Sequence, residues 1–282
     1  SNDKALHALR VEPGDHAIGR SRGGLTTKTH ALVDGRGLPL VIVVTPGQAG
    51  DAPALPLLLA ELLMILLGLI FLVPFYFLLA NSVKSYSEIL SDSAALPSML
   101  QWSNYAEAWK ATDFPHAFLN SFIVTVISNV LLALLCSMCA YKMVRNNSLY
   151  NRMLYIALVA AMVIPFQAIM IPLVKVVSGL GVMDSTAGLI LAYLGFGAPM
   201  TVFLFHGFVK SVPVDIEEAS RVDGSSPYGT FFRIVLPLMQ PIIVTVVILN
   251  TLWIWNDYLM PSLILPDPQH RTIPIATYAF FG

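Results

Sequence analysis

The chain has 282 residues, of which 56% are hydrophobic and only 12% are charged, and its formal net charge is −1. A soluble domain carries about twice that charged fraction, so the composition indicates a membrane protein. The near-neutral charge gives no electrostatic reason to expect a nucleic-acid partner. Cys136 and Cys139 lie in an apolar run without further metal ligands, so we expect them to pack and expect no metal site.

The first 61 residues differ in character from the rest. Two stretches rich in β-formers, 26–33 and 38–45, flank an Asp-Gly-Arg-Gly turn at 34–37, which predicts a β-hairpin over residues 26–45. Asp51 is placed to cap a helix running through residues 57–63. One hairpin and part of a helix cannot bury a sizeable core alone. We therefore treat residues 1–61 as a leader, distinct from a membrane domain over residues 62–282 that includes the loop at 210–236.

Three stretches of this leader, 19–28, 33–37 and 45–49, resemble an insertion-sequence transposase of the IS5 type. In that family they form an early hairpin of an RNase H-like domain, whose chemistry needs three separated carboxylates holding two metal ions. Neither Asp34 nor Asp51 is placed as such a carboxylate, so we interpret the leader as a non-functional transposase fragment. The alternative is a residual DNA-binding arm that uses Arg20, Arg22 and Lys28.

Five apolar spans follow, each close to the roughly 20 residues that cross a bilayer. We predict them at 62–81, 118–141, 153–176, 186–209 and 237–259. Pro74, Pro165, Pro172 and Pro199 interrupt these spans and are expected to kink them. The predicted fold class is therefore an all-α polytopic membrane protein, preceded by the small hairpin-containing leader.

Basic residues in short loops predict the orientation of the spans. The loop after the second span carries Lys142, Arg145 and Arg152 without an acidic residue, so we expect residues 142–152 in the cytoplasm. Counting crossings then places residues 1–61, with the N-terminus, and the loop at 210–236 in the cytoplasm. The segments at 82–115 and 177–185 are expected outside.

The 210–236 loop shows a pattern of its own. Pro213 precedes Asp215, which we expect to cap a short helix and to form a capping box with Glu218. On this helix Ile216, Ala219, Ser220 and Val222 alternate with Glu217, Glu218 and Arg221, as on an amphipathic helix. Gly224 predicts a sharp turn with positive φ, and Ser226-Pro227 predicts a second helix start. By periodicity alone this is an ordinary interfacial linker between two spans.

The spacing of Glu218-Ala219-Ser220, Gly224 and Ile234-Val235-Leu236-Pro237 resembles the EAA motif of ABC importer permeases, the loop that contacts the ATPase. The resemblance implies that this loop couples the membrane helices to a cytoplasmic ATPase. The implied coupling residues are Asp215, Glu217, Glu218, Ala219, Ser220, Arg221, Asp223, Gly224, Ile234, Leu236 and Pro237.

Residues 62–282 also resemble the carbohydrate-type permeases of the maltose and glycerol-phosphate branch. The supporting motifs include Pro74-Phe75-Tyr76, Pro165-Phe166-Gln167 and Trp255-Asn256-Asp257-Tyr258-Leu259. The resemblance implies the type I (MetI-like) ABC importer permease fold, with five of an expected six transmembrane helices present. It also implies a bacterial cell membrane protein for carbohydrate transport.

The same resemblance implies the partners: a second homologous permease, two ABC ATPase subunits, an extracytoplasmic solute-binding protein and a carbohydrate substrate. The chain has no G-x-x-x-x-G-K-[ST] phosphate loop, so we expect it to bind no cofactor and to be no enzyme, with ATP and Mg²⁺ used by the partner ATPase. The alternative is a truncated or chimeric non-functional permease that carries a transposase remnant.

Polar residues within membrane spans usually face a cavity or a partner. We therefore predict a substrate path along Gln167, Asn250, Trp253, Asn256, Asp257 and Tyr258. The aromatic members can stack on a sugar ring. The alternative is that Asn256 and Asp257 lie near the interface and cap or pin helices. We interpret His206 as a packing residue near the cytoplasmic end of its span.

Overall fold

The computed structural model describes residues 19–21, 24–33, 38–46 and 51–281 of the chain. A small antiparallel sheet is followed by helices. The contacts between residues divide the chain into two compact units, Ser1–Trp102 and Ser103–Gly282.

The first unit contains the predicted hairpin. Its strands are β1 (Gly19–Ser21), β2 (Gly24–Val33) and β3 (Pro39–Pro46), in the order β1-β2-β3 and all antiparallel. His30 and Val41 are buried, and His30 Nε2 lies 2.7 Å from Thr45 Oγ1. The strands confirm the hairpin, whereas its turn at 34–37, Arg22 and the side chain of Arg20 lie outside the described residues.

A long helix, α1 (Asp51–Ser82), contains the first predicted span. Its first turns pack on β2 and β3 and bury Ala54 and Leu58. The predicted domain boundary at 61/62 falls inside this helix. The helix continues on both sides of Pro74. Asp51, which we predicted to cap the helix, is its first helical residue and so lies one position after the N-cap position. The apolar side chains between residues 63 and 79 are mostly exposed, which suits a helix in lipid.

The segment after α1 holds a short helix, α2 (Tyr86–Ser91). Ser85 and Glu88 form a capping box at its start, with Glu88 N donating to Ser85 Oγ at 3.3 Å. The buried Lys84 donates from Nζ to the carbonyls of Asp92 and Ser93, each at 3.1 Å. These bonds fold the segment back on itself.

The second unit is entirely helical. Its helices are α3 (Ser103–Ala111), α4 (Phe114–Arg145), α5 (Leu149–Ala161), α6 (Phe166–Gly179), α7 (Thr186–Val209), α8 (Val214–Val222), α9 (Pro227–Thr230), α10 (Leu236–Leu238), α11 (Gln240–Asn256), α12 (Leu259–Ile264) and α13 (Ile273–Phe281). A π-helical turn, Phe231–Val235, joins α9 to α10, and Pro268–His270 forms a 3₁₀ turn.

The core of this unit lies between α4 and α7, with α11 packed against both. Leu132 on α4 and Tyr193 and Phe205 on α7 are fully buried. Gly197 permits the close approach, because a Cβ at that position would lie 2.8 Å from Leu132 Cδ1. Cys136 and Cys139 are free thiols on α4 and pack in or against this core.

Three helices among the described residues are long and apolar enough to cross a membrane, and two bent pairs raise the number to five. The predicted span at 153–176 is wrong as one continuous helix, because α5 and α6 meet at 112°. Pro165, whose ring excludes an N–H, stands at the start of α6, while Pro172 and Pro199 lie inside helices. The predicted span at 237–259 is helical over α11, which is bent by 74° from the helical stretch Pro227–Leu238.

The end of the chain is tied to α4. Asn120 Nδ2 donates to the carbonyls of Gln269 and Arg271 at 3.0 and 3.1 Å, and Ile273 N donates to Ser121 Oγ at 2.9 Å. The following residues form α13, which packs on α4. Residues 273–281 are thus helical and held against α4.

Candidate functional site

The predicted loop helix exists as α8, but it begins differently from the prediction. Its N-cap is Pro213, and no side chain caps the helix. The expected Asp215–Glu218 capping box is therefore wrong, since the chain enters the helix at Val214, one residue before Asp215. Asp215 instead lies in the first turn, where its negative charge interacts favourably with the helix dipole.

Glu217 is the most deeply buried residue of α8, with a side chain only 1% exposed. Its Oε1 accepts from Arg145 Nε at 2.8 Å and lies 2.7 Å from Arg145 Nη2. Its Oε2 accepts from the Tyr141 hydroxyl at 2.8 Å and lies 3.8 Å from Arg221 Nη2. Both oxygens of this buried carboxylate are satisfied, as a stable buried charge requires.

Arg145 and Tyr141 lie one turn apart on α4, so both side chains reach the same face of that helix. Arg145 Nη2 also donates to the carbonyl of Val212 at 2.8 Å, just ahead of α8. The Tyr141 ring packs on Phe231, with centroids 5.3 Å apart. We name these three side chains, Tyr141, Arg145 and Glu217, the anchor cluster, because they fix α8 to the end of α4.

Sequence reasoning did not assign this role to Tyr141 or Arg145. Their i, i+4 spacing at the polar end of a span was visible, but their partner is 72 positions away for Arg145 and 76 for Tyr141. Arg145 counted only as a basic loop residue in predicting orientation. The contact places residues 142–145 and α8 at the same end of the bundle, as the count of crossings requires. The side of the membrane stays a prediction.

The turn after α8 follows the sequence prediction. Gly224 has φ of +85°, a conformation that residues with a Cβ rarely adopt. Ser226 Oγ accepts from Gly229 N at 3.1 Å and caps α9, with Pro227 in the first helical position. The buried hydroxyls of Ser220 and Thr230 lie 3.2 Å apart and join the two arms of the turn.

The side chains that α8 buries are polar or charged, whereas its large apolar side chains are exposed. Ile216 is 42% exposed and Val222 is 87% exposed, whereas Glu217 and Ser220 are buried. Of the residues that alternate on this predicted amphipathic helix, Glu217 and Ser220 are thus the ones that pack, rather than Ile216 and Val222. The reason is that the anchor cluster supplies charged and hydroxyl partners for the buried face.

The predicted coupling residues consequently divide by exposure. Glu217 and Ser220 face the protein interior, and Ile234 and Leu236 are half-buried. The remaining members are exposed, namely Asp215, Glu218, Ala219, Arg221, Asp223, Gly224 and Pro237. Ile216 and Val222 are exposed as well, so the outer side chains of α8 include both acidic and apolar ones.

Two of the predicted path residues share a cavity. Asn250 and Trp253 on α11 line a cavity of about 520 Å³ with residues from α7 and from around the α5–α6 bend. Asn250 is buried and its Nδ2 donates to Thr201 Oγ1 at 3.2 Å. Trp253 packs edge-on against Tyr193, with centroids 5.4 Å apart. The lining is otherwise apolar.

A second cavity of about 530 Å³ lies between α4 and α11. Its polar lining residues include Asn129, whose Nδ2 donates to Thr125 O at 2.9 Å and to Thr251 Oγ1 at 3.2 Å. Asn129 Oδ1 and Thr125 Oγ1 have no partner among the described residues. Sequence reasoning missed Asn129, although a carboxamide in the middle of an apolar span was a usable signal.

The remaining path residues occupy other positions. Asp257 is bonded to two helices: its Oδ1 accepts from Leu259 N, the first residue of α12, at 3.0 Å, and its Oδ2 accepts from the Tyr193 hydroxyl of α7 at 3.0 Å. This geometry matches the structural alternative for Asp257. Asn256 and Tyr258 line a third cavity of about 430 Å³. Gln167 is exposed near the start of α6 and lines none of these three cavities.

Within the described ranges, no cluster of three or more His, Cys, Asp or Glu side chains is arranged to hold a metal ion. His206, interpreted as a packing residue, is 9% exposed and stacks on Tyr155 with centroids 3.8 Å apart.

Comparison with known proteins shows which proteins this chain is similar to. A family model described as "Binding-protein-dependent transport system inner membrane component" matches residues 130–281. The chain is 38% identical over 218 residues to the "Probable starch degradation products transport system permease protein AmyC" of Thermoanaerobacterium thermosulfurigenes, covering 77% of this chain and 79% of the relative. It is 34% identical over 211 residues to the "Melibiose/raffinose/stachyose import permease protein MelC" of Bacillus subtilis (strain 168), covering 74% and 76%.

The fold is also found in a solved structure, described as "Crystal structure of a bacterial ABC transporter involved in the import of the acidic polysaccharide alginate". That match has a TM-score of 0.68 at 23% identity and covers 83% of this chain and 81% of the other. It confirms the predicted ABC importer permease fold. The relatives are permease subunits, which confirms that the chain is no enzyme. The chain belongs to the family of binding-protein-dependent transport system inner membrane components.

Proposed function

We propose that this chain is a membrane-spanning permease subunit of an ATP-dependent carbohydrate importer and forms half of the translocation path. The names of its relatives support a sugar or sugar derivative as substrate. They include permeases for starch degradation products, for diacetylchitobiose and for melibiose, raffinose and stachyose. The bacterial cell membrane, with the N-terminus in the cytoplasm, is the proposed location.

The proposed ATPase contact is the outer surface of α8 and the turn that follows it. It presents Asp215, Glu218 and Asp223 for charged contacts, together with the exposed Ile216 and Val222. An exposed apolar patch with a charged rim is typical of a protein interface. The EAA spacing of Glu218-Ala219-Ser220 and Gly224 supports the same role.

The anchor cluster supports transmission of motion from this surface. Because Glu217 is bonded to two side chains of α4, a displacement of α8 is transmitted directly to a core helix of the bundle. ATPase closure then moves the 215–223 helix and shifts the path from inward-open to outward-open. ATP and Mg²⁺ stay with the partner ATPase. This chain contributes only the difference between its two conformations in their affinity for a ligand.

The proposed path passes the cavities around α11. Asn250 and Trp253 in one cavity and Asn129 and Thr251 in another supply two amides, a hydroxyl and an indole ring, which suit sugar hydroxyls and ring faces. The full assembly that we propose contains a second homologous permease, two ATPase subunits and an extracytoplasmic solute-binding protein.

One observation carries the coupling proposal: two adjacent glutamates of α8 point in opposite directions, Glu217 inward to the anchor cluster and Glu218 outward. The test is co-purification of the full chain with its ATPase and second permease in detergent. We expect Glu218→Lys to lose the ATPase while keeping the second permease. Glu107→Lys, an exposed charge reversal on α3, is the matched control and should retain both partners.

If the wild type and Glu107→Lys bind the ATPase and Glu218→Lys binds it equally well, the coupling surface lies elsewhere. If the wild type itself binds neither partner, the alternative of a non-functional chimeric permease is favoured.

A further inference from the structure

A fourth cavity, of about 590 Å³, lies between the end of α4, the start of α5 and the end of α7. It lies at the same end of the bundle as α8, since α4 and α7 both end there. It shares no lining residue with the three cavities around α11. The proposed transport path therefore does not account for it.

The charge of this cavity is entirely positive. Arg152 of α5 and Lys210, which follows α7, are among its lining residues, and its lining contains no carboxylate. In the part of the chain that the structure describes, neither side chain has an ion-pair partner, unlike the neighbouring Arg145, which is bonded to Glu217. Two unneutralised cations on separate elements converge on one concave site.

His206 gives a second, independent sign of a ligand. The residue is 9% exposed, lines the cavity, and has an Nδ1 without a hydrogen-bond partner among the described residues. Its ring is fixed by stacking on Tyr155, which lines the same cavity. Buried polar atoms in folded proteins nearly always have a partner, so this nitrogen is left with the capacity for one further hydrogen bond.

We propose that this cavity binds the phosphate group of an anionic ligand, held by Arg152, Lys210 and His206. The arginine fork and the lysine ammonium are the usual protein partners of phosphate oxygens, and basic pockets between membrane helices bind phosphorylated lipid headgroups. The amide side chains of Asn147 and Asn151 line the same cavity. The site does not depend on the proposed transport function.

The surroundings favour a phospholipid as the source of the phosphate. Leu149, Tyr150 and Met153 are exposed on α5 beside Arg152, and Ile156 is both exposed and part of the cavity lining. A headgroup in the cavity therefore has an apolar helix surface beside it, on which acyl chains can lie. A soluble phosphate compound would use the same cations without this surface.

The test compares lipids on the purified full chain, with any subunits that co-purify, by native mass spectrometry. We expect phosphatidylglycerol to be retained in preference to phosphatidylcholine. The double variant Arg152→Gln/Lys210→Gln should reduce phosphatidylglycerol binding about 25-fold, given roughly a fivefold contribution from each cation near an anionic headgroup. Lys142→Gln, an exposed lysine on α4 outside the cavity, is the matched control and should bind as the wild type does.

A charge-preserving variant, Arg152→Lys/Lys210→Arg, separates loss of charge from loss of fold, and it should retain the lipid. A second arm measures protection of His206 from diethyl pyrocarbonate by inorganic phosphate in lipid-free detergent. Protection without lipid preference identifies a soluble phosphate ligand and supports the site. The proposal is overturned if the chain shows neither a lipid preference nor protection of His206. An equal loss of lipid in Lys142→Gln also overturns it.

Discussion

Glu217 and Arg145 form a buried ion pair between the loop helix α8 and the core helix α4, with Arg145 Nη2 2.7 Å from Glu217 Oε1. The two side chains are only 1% and 16% exposed, so solvent screens the pair weakly. The hydroxyl of Tyr141 and the carbonyl of Val212 complete the hydrogen bonds of the pair. Such a pair fixes the rotation and position of a short helix more strictly than apolar contacts do.

Removing one charge of this pair is expected to destabilise the protein strongly. Glu217→Gln leaves Arg145 buried without a counter-charge, and the expected loss in the free energy of unfolding is about 3–5 kcal/mol. Glu218→Gln is the control one residue away, and because its side chain is exposed we expect a change within about 0.5 kcal/mol. Denaturant unfolding of the full chain in detergent, followed by circular dichroism, measures both. Equal losses would contradict the assignment of Glu217 as the anchored residue.

Replacing the whole anchor cluster separates stability from coupling. In Tyr141→Phe/Arg145→Met/Glu217→Leu no buried charge or hydroxyl of the cluster remains unpaired. We therefore expect a stability within about 1–2 kcal/mol of the wild type, well above that of Glu217→Gln. Because apolar contacts leave α8 freer to rotate, we expect sugar-stimulated ATPase activity of the reconstituted importer to fall. Full activity in the triple variant would show that the cluster contributes stability alone.

The turn at Gly224 depends on backbone conformation rather than on space. Its φ is +85°, and a Cβ at this position would meet nothing within 4 Å. Gly224→Ala should therefore cost about 1–2 kcal/mol through backbone strain alone. Gly207→Ala, in α7 and equally open, should instead stabilise its helix by up to about 1 kcal/mol. Unfolding midpoints that shift in the same direction from the wild type in both variants would contradict this explanation.

The contact between α4 and α7 depends on space rather than on backbone conformation. A Cβ at Gly197 would lie 2.8 Å from Leu132 Cδ1, and Leu132 is fully buried, so it cannot move without displacing its neighbours. We expect Gly197→Ala to be destabilised by about 1–3 kcal/mol relative to Gly195→Ala. Gly195 lies on the same helix with nothing within 4 Å of its Cβ position, so the comparison cancels the helix propensity term. Equal stabilities would show that the two helices can separate freely.

The elements that the sequence predicts correctly are those specified by local chemistry. Apolar length identifies α4 and α7 as spans, alternation of β-formers identifies the hairpin, and the residues Gly224 and Ser226-Pro227 identify the turn and the second helix start. Each of these features depends on residues within one or two turns of each other. Such patterns are visible without knowledge of the tertiary structure.

The failures depend on distant contacts or on competition between local signals. Asp215 and Pro213 both favour a helix start, and the proline takes the cap position. Periodicity assigns Glu217 to solvent, because the charge that stabilises it in the interior lies on another helix. The 112° bend between α5 and α6 exceeds what Pro165 alone predicts, since a proline can kink a helix or end it.

Substitutions at Asn250 can distinguish whether this residue contacts the transported sugar or only joins two helices. The test is possible because its hydrogen-bond partner is Thr201. Asn250→Leu alone leaves the buried Thr201 hydroxyl without its partner, and we expect a loss of about 1–3 kcal/mol in stability. Adding Thr201→Val removes the unpaired group, so the double variant should recover much of that loss. If Asn250 contacts the sugar, uptake by cells or proteoliposomes stays low in the double variant despite its recovered stability. If uptake recovers together with stability, the amide serves only to join α11 to α7, and the sugar passes elsewhere, the Asn129 cavity being the next place to examine.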